Sequence, residues 1–153
     1  MKNKPLLLVL GEPNSIFSEL LFKIFKKKII KKLNRPIVII GSINLLKSQM
    51  KSLKYLIKIK ECNYNDKSKN KFEKNCLNVI DVKYKFKKTF DKVSSNSKVY
   101  IKNCFAIALK LLQKGDVVGL INGPISKKYF LEKKYLGITE YLASKTKIKD
   151  PTM

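Results

Sequence analysis

The chain has 153 residues and a formal net charge of +23, which arises from 34 Lys and Arg against 11 Asp and Glu. This length predicts one domain, and 44% hydrophobic residues suffice to build its core. The sequence contains no His, which excludes Ser-His-Asp triads, Cys-His dyads and His-ligated metal sites built from this chain alone.

Three cysteines, at positions 62, 76 and 104, have neither CxxC spacing nor an even count. This pattern argues against a zinc ribbon and a secreted disulfide framework, and it predicts reduced, partly buried thiols in a cytoplasmic protein. The apolar run at residues 6–10 is too short for a signal-peptide core or a membrane span. We therefore expect no association with a membrane.

The basic charge also fits a different class of protein, a non-catalytic α/β module that binds nucleic acid or another polyanion through its lysines. Arg35 is the only arginine, so the bidentate contacts that Arg makes to guanine and phosphate are nearly absent. Lys, Asn and Ile are all frequent, as expected where coding bias fills exposed positions with Lys. We expect a solvated basic surface and no specific nucleic-acid partner.

The first third of the chain alternates between apolar runs and amphipathic segments. Residues 6–10 form an apolar run that predicts a buried, parallel strand. Helical spacing of apolar residues follows, with Asn14 or Ser15 as the expected N-cap. Residues 36–40 repeat the strand pattern, and Ser42 opens a second helix. This order of elements is typical of an α/β layer with right-handed crossovers.

The rest of the chain continues the alternation after an interruption. Residues 61–75 are polar and rich in Asn and Lys, and they predict an exposed basic loop. Residues 77–82 predict a strand, and a basic irregular stretch leads to a helix over 99–113 that ends at Lys-Gly. Residues 117–121 predict another strand, followed by a helix from Ser126.

Three segments are candidates for binding chemistry. The turns at residues 11–15 and 122–126 follow predicted parallel strands, and ligands of α/β sheets bind at the carboxyl ends of such strands. Each turn precedes a helix N-terminus, whose free N–H groups favour anions. Neither matches GxxxxGK[ST] or GxGxxG, so ordinary strand-to-helix turns remain the alternative. The third segment begins at Gly137, where Thr139 lies at or near a helix cap.

Taken in order, the segments GEPNSIFSE, RPIVIIGS, GLINGPISKKYF and GITEYLASKTKIKDPTM resemble the N-terminal half of the 4-hydroxythreonine-4-phosphate dehydrogenase family. Members of this family show G-[DE]-P-A-G-I-G-P-E early, [TN]-[GA]-P-[IV]-x-K in the middle and G-H-T-E-[YF]-L-A close behind. The resemblance implies an α/β three-layer fold like that of isocitrate and isopropylmalate dehydrogenases, incomplete in this chain. Residues 1–153 would then be the N-terminal half of the enzyme.

The resemblance also implies a reaction. The family enzyme oxidises 4-phosphooxy-L-threonine with NAD or NADP, and the 3-keto acid then loses carbon dioxide in a step toward pyridoxal phosphate. A divalent metal (zinc, magnesium or cobalt), held by His from both subunits of a homodimer, polarises the alcohol and then the ketone. For this chain alone we expect no bound metal or cofactor and no activity, because its 11 carboxylates and three cysteines show no clustered ligand spacing.

Two departures from the family pattern affect the site residues. Thr139 is carried over as a substrate contact, but Ile138 replaces the family His and has no hydrogen-bond donor in its side chain. Residues 14–18 replace Ala-Gly-Ile-Gly-Pro, so the backbone course there is expected to differ. The resemblance assigns no catalytic or cofactor-binding residue to this chain. The sequence stops at Met153 inside a family motif, from which we expect a truncated enzyme.

Overall fold

A computed structural model describes residues 4–27, 29, 32–63 and 72–146 of the chain. These residues build a five-stranded sheet with the strand order β3-β4-β2-β1-β5, in which each neighbouring pair is parallel. The strands are β1 (Leu6–Val9), β2 (Ile37–Gly41), β3 (Lys58–Glu61), β4 (Cys76–Asp81) and β5 (Gly119–Asn122), and the helices are α1 (Phe17–Lys26), α2 (Ile43–Ser52), α3 (Lys98–Gln113) and α4 (Ile138–Thr146).

The sheet is buried on both faces because its central strands are apolar runs whose side chains alternate between the faces. Leu8 and Leu10 pack with α1 and α2 in one core. Leu7 and Val9 pack with α3 and with Tyr141 of α4 in the other. Two helical layers therefore enclose the sheet, which confirms the predicted three-layer α/β fold.

The starts of the first two helices differ in how they are capped. Ser42 is the N-cap of α2, and its hydroxyl accepts a hydrogen bond from the Leu45 amide at 3.3 Å, as predicted. The predicted cap of α1 is wrong, because the N-cap position belongs to Ile16, which has no capping side chain. The Ser15 hydroxyl accepts from the Phe17 amide at 3.3 Å, one residue outside the cap. The Asn14 side chain instead bonds the backbone of Asp91 and Lys92.

Ser18 and Ser42 are both buried, but the Ser18 hydroxyl has no hydrogen-bond partner among the described residues. A buried hydroxyl without a partner costs about 1–3 kcal/mol, whereas a bonded N-cap stabilises its helix by about 1 kcal/mol. We expect Ser18→Ala to raise the free energy of unfolding by about 1 kcal/mol and Ser42→Ala to lower it by about the same amount. Urea denaturation measures both, and a loss of stability in Ser18→Ala would contradict this account.

Three local features differ from the sequence-based expectations or extend them. Strand β3 was not predicted, since its lysines conceal the pattern of a short edge strand. The helix expected from Ser126 is a single π-helical turn, Lys127–Leu131, which ends where Glu132 and its neighbour take left-handed φ angles of 50° and 59°. Of the expected basic loop, residues 64–71 lie outside the described part, while Cys62 at its start is buried.

The three cysteines are free and buried, in agreement with the prediction. Burial raises the pKa of the Cys104 thiol to about 12, so it is protonated at neutral pH. No helix in the described part of the chain has the length and apolar character needed to cross a bilayer.

Candidate functional site at the carboxyl edge of the sheet

The two turns selected from the sequence lie against each other. β1 and β5 are neighbouring parallel strands, so the turns that follow them leave the sheet at the same edge. The Gly123 amide donates to the Val9 carbonyl at 2.7 Å, and the Glu12 amide donates to the Pro124 carbonyl at 2.8 Å. The structure therefore joins residues 11–15 and 122–126 through their backbones.

This close approach requires glycine at both turns. Gly11 has a φ of +74°, and a Cβ added there would lie 2.3 Å from the Pro124 carbonyl oxygen. A Cβ at Gly123 would lie 2.3 Å from the Leu10 carbonyl oxygen. Both contacts are with backbone, which cannot swing away as a side chain can. The two glycines thus allow the turns to pack together.

Glu12 is a buried carboxylate at the centre of this edge. The Ser97 hydroxyl donates to one carboxylate oxygen of Glu12 at 2.7 Å, and the backbone N–H of Asn14 donates to the other at 3.2 Å. Gln49 of α2 donates to the Pro13 carbonyl at 2.9 Å. These contacts tie the first turn to the start of α3 and to the C-terminal half of α2, so its polar groups form hydrogen bonds within the protein. Sequence reasoning missed this role of Glu12, because Ser97 is 85 residues away along the chain.

A lysine-rich loop, residues 83–92, borders the same edge. The Asn14 side chain holds it by accepting from the Asp91 amide at 3.1 Å and donating to the Lys92 carbonyl at 3.4 Å. The loop begins beside Asp81, which accepts from the first amide of α2 at 2.8 Å. The loop carries five lysines, Lys83, Lys85, Lys87, Lys88 and Lys92, against the one acidic residue Asp91.

The charges of this loop shape the electrostatics of the edge. Lys83 lies 2.5 Å from an oxygen of Asp81, and this hydrogen bond raises the pKa of the lysine. Burial, with a smaller contribution from Glu12, raises the pKa of Tyr84. Within the part of the chain that the structure describes, the other four lysines form no ion pair with a carboxylate, so their charge adds to a positive field at this edge. Such a field attracts anionic small molecules.

The second turn continues into the π-helical turn and then into α4. Ser126 accepts from the Tyr129 amide at 3.1 Å, which starts the π-helical turn. The ammonium of Lys98, at the start of α3, is bonded to Glu132 and lowers the pKa of that carboxyl. These contacts hold the segment that leads to Gly137 against the α3 side of the sheet.

Thr139 is the second residue of α4, and its side chain is half-buried. Within the described residues, its hydroxyl forms no hydrogen bond with the protein, and none links it to either turn. Ile138 packs against the α3-side core and so has a structural role where the family has His. One oxygen of Glu140 is buried with no hydrogen-bond partner in the described chain. Thr139 therefore offers a hydroxyl with no protein partner in the described chain, in the first turn of α4.

The residues present do not fit a catalytic metal site. The chain contains no His, and no three Cys, Asp or Glu come together within residues 4–27, 29, 32–63 and 72–146. A metal needs several convergent ligands. The glycine turns also lack the fingerprint of a dinucleotide-binding loop.

The aromatic side chains bear on the nucleic-acid alternative. Tyr100, Phe105, Phe130 and Tyr141 are buried in the α3-side core. The rings of Phe105, Phe130 and Tyr141 contact one another at centroid distances of 5.0–5.9 Å. Base stacking requires aromatic rings on an exposed, basic surface. These four rings stabilise the core, and among the aromatic side chains of the lysine-rich loop only Phe90 is exposed, at 39%.

Taken as a whole, the geometry is that of a parallel α/β protein with its candidate binding site at the carboxyl edge of the sheet. Solved structures share the fold. A 4-hydroxythreonine-4-phosphate dehydrogenase from Burkholderia phymatum superimposes with a TM-score of 0.80 at 19% identity, covering 97% of this chain and 45% of its own. One from Klebsiella pneumoniae superimposes with a TM-score of 0.78 at 20% identity, covering 97% of this chain and 46% of its own.

The sequence comparisons are more specific. The family model for pyridoxal phosphate biosynthetic protein PdxA matches residues 32–153. A curated 4-hydroxythreonine-4-phosphate dehydrogenase from Sulfurihydrogenibium sp. (strain YO3AOP1) is 33% identical over 151 residues, which is 97% of this chain and 44% of that enzyme. The chain belongs to the PdxA family, as its motifs indicated, and it spans less than half the length of these relatives. Their name denotes an oxidoreductase.

Proposed function

We propose that residues 1–153 form the N-terminal half of an enzyme that oxidises and decarboxylates 4-phosphooxy-L-threonine in pyridoxal phosphate biosynthesis. The observation that carries the proposal is the family match over residues 32–153, which includes both the second turn and Thr139. The proposed enzyme uses NAD or NADP with a divalent metal (zinc, magnesium or cobalt) and is a homodimer. Its proposed location is the cytoplasm, which suits three free thiols.

The chain's own residues have a limited part in this reaction. The lysine-rich loop at residues 83–92 attracts the phosphorylated substrate to the carboxyl edge of the sheet. The Thr139 hydroxyl then hydrogen-bonds the substrate, while Ile138 excludes water beside it without donating a hydrogen bond. Because the described residues do not fit a metal site and the chain contains no His, the metal ligands belong to polypeptide outside this chain. The chain alone is therefore proposed to be inactive.

Thr139→Val provides a test, because it removes one hydroxyl and keeps the shape of the side chain. We expect the variant to bind 4-phosphooxy-L-threonine about tenfold more weakly than the unsubstituted chain, which corresponds to the loss of about one hydrogen bond. Isothermal titration calorimetry measures both affinities.

The matched control is Thr146→Val in the same helix. The Thr146 hydroxyl bonds the Leu142 carbonyl at 3.0 Å and so has no free donor for a ligand. We expect this variant to bind as the unsubstituted chain does. Equal weakening in both variants, or no binding of 4-phosphooxy-L-threonine by the unsubstituted chain, would count against the proposed role of Thr139.

A further inference from the structure

A cavity of about 280 Å³ lies at the amino edge of the sheet, the edge opposite the candidate functional site. β2 and β4 are neighbouring parallel strands, so both begin at this edge. The end of α1 and the chain segments that lead into β2 and β4 line the cavity, with Phe25, Arg35 and Glu73 as one residue from each. We term this space the amino-edge cavity. It is separate from the two glycine turns, which follow the carboxyl ends of β1 and β5.

Part of the cavity surface is apolar. Phe25, Ile39 and Leu77 line the cavity, and they also belong to the core that the sheet forms with α1 and α2. All three side chains are buried. An apolar group that enters the cavity would leave water and contact this core, which is the transfer that the hydrophobic effect favours. A ligand that fits the cavity therefore has an apolar body.

Two cationic side chains line the same cavity. Arg35 and Lys74 are both exposed, and neither forms an ion pair within the described part of the chain. One guanidinium nitrogen of Arg35 donates to the Lys4 carbonyl at 2.7 Å, which orients the side chain. Because Arg has five N–H donors, most of them are left for a ligand. The planar guanidinium matches the two oxygens of a carboxylate.

Glu73 is the one acidic residue among the described residues that line the cavity. Its carboxylate accepts hydrogen bonds from the Lys60 ammonium at 2.7 Å and from the Cys76 thiol at 3.0 Å. The bond from Lys60 lowers the pKa of Glu73, so this carboxyl is ionised at neutral pH and Lys60 balances its charge. The charges of Arg35 and Lys74 are therefore not cancelled, and the cavity favours an anion.

The buried side chain of Asn78 fixes the part of the wall that carries Glu73. The Asn78 amide oxygen accepts from the Glu73 backbone N–H at 2.9 Å, and the Asn78 amide nitrogen donates to the Glu73 carbonyl at 3.0 Å. Asn78 belongs to β4, so these two bonds join the wall to the sheet. A wall that is already in place lowers the entropic cost of binding a ligand.

We propose that the amino-edge cavity binds a small carboxylate with an apolar body, with the carboxylate on Arg35 and Lys74 and the apolar body against Phe25 and Leu77. Pockets for drug-sized ligands measure about 300–1,000 Å³, so this cavity suits a molecule of one or two rings. A neutral ligand would leave both cations without a partner. The cavity shares no residue with the candidate functional site, so the inference does not rest on the proposed function.

Titration of the chain with 2-naphthoate, which has two fused rings and one carboxylate, tests the proposal. We expect isothermal titration calorimetry to show one-to-one binding with a Kd below about 1 mM. Acetate lacks the rings and 2-naphthalenemethanol lacks the charge, and each is expected to bind at least about tenfold more weakly. The proposal is overturned if 2-naphthoate does not bind, or if the alcohol or acetate binds as tightly as 2-naphthoate does.

Two variants locate the binding. Arg35→Gln is expected to weaken the binding of 2-naphthoate at least about tenfold, and Lys74→Gln about threefold. The matched control is Lys102→Gln, which removes one positive charge from an exposed position on α3 and is expected to leave the affinity unchanged. Thermal unfolding checks that each variant is folded.

If Arg35→Gln and Lys74→Gln bind 2-naphthoate as well as Lys102→Gln does, the probe occupies another part of the protein and the proposal is wrong. Arg35→Gln should also bind 4-phosphooxy-L-threonine as the unsubstituted chain does, because the two sites lie at opposite edges of the sheet. This test and the Thr139 test therefore succeed or fail independently.

Discussion

Replacing Gly11 with Ala is expected to lower the free energy of unfolding by about 3 kcal/mol or more. Two costs combine. The φ of +74° at Gly11 is a conformation that L residues rarely adopt, and the new Cβ would lie 2.3 Å from the Pro124 carbonyl oxygen. Relief of that clash must move the second turn and weaken the 2.8 Å hydrogen bond from the Glu12 amide. Urea denaturation followed by circular dichroism measures the loss.

The matched control is Gly119→Ala in the neighbouring strand. A Cβ at Gly119 would make ordinary contact with Leu6 at 3.4 Å. Its backbone is that of a β-strand, so alanine should be neutral or stabilise by about 0.5 kcal/mol. Equal losses in the two variants would show that contact between the turns contributes nothing specific to stability.

Phe105→Ala is expected to cost about 3–5 kcal/mol, because it opens a cavity in a close-packed core. Phe105 is fully buried, and its ring lies 5.9 Å from that of Phe130 and 5.8 Å from that of Tyr141. Through these contacts it joins α3 to both segments that follow β5. Since small domains are stable by about 5–15 kcal/mol, a large share of the stability should be lost. The midpoint of thermal unfolding reports this directly.

Phe90→Ala removes the same side chain from an exposed position in the lysine-rich loop, residues 83–92. It should change the free energy of unfolding by less than about 1 kcal/mol. The Phe105 variant should also lose the near-ultraviolet circular dichroism of packed aromatic rings. If the two substitutions cost the same, the aromatic cluster does not stabilise α4 against the sheet.

The sequence predicted most of the fold because the central strands are short apolar runs, and such runs are buried in parallel sheets. β1, β2, β4 and β5 were found in this way. β3 was missed because an edge strand with Lys58 and Lys60 lacks that pattern. The N-cap of α1 was predicted wrongly because two suitable side chains, Asn14 and Ser15, precede the helix, and only tertiary contacts decide their use.

The candidate site was predictable at the level of the backbone. Two turns after parallel strands were expected at the carboxyl edge, and their contact follows once β1 and β5 are known to be neighbours. Side-chain roles were not predictable from local patterns. The hydrogen bonds from Ser97 to Glu12 and from Gln49 to the Pro13 carbonyl join residues 85 and 36 positions apart. The assignment of Thr139 as a substrate contact came from the family resemblance and stays a prediction.

The place of β1 in the sheet has a consequence for synthesis. Of the five described strands, β1 is made before the others, yet it lies between β2 and β5, and its register with β5 pairs Leu6 with Gly119. During synthesis on the ribosome, more than a hundred further residues must be added after β1 before β5, its second neighbour, is available to pair with it. Pairings between such distant segments form slowly. Until β5 emerges, the nascent chain exposes an apolar strand edge, the kind of surface that chaperones protect from aggregation.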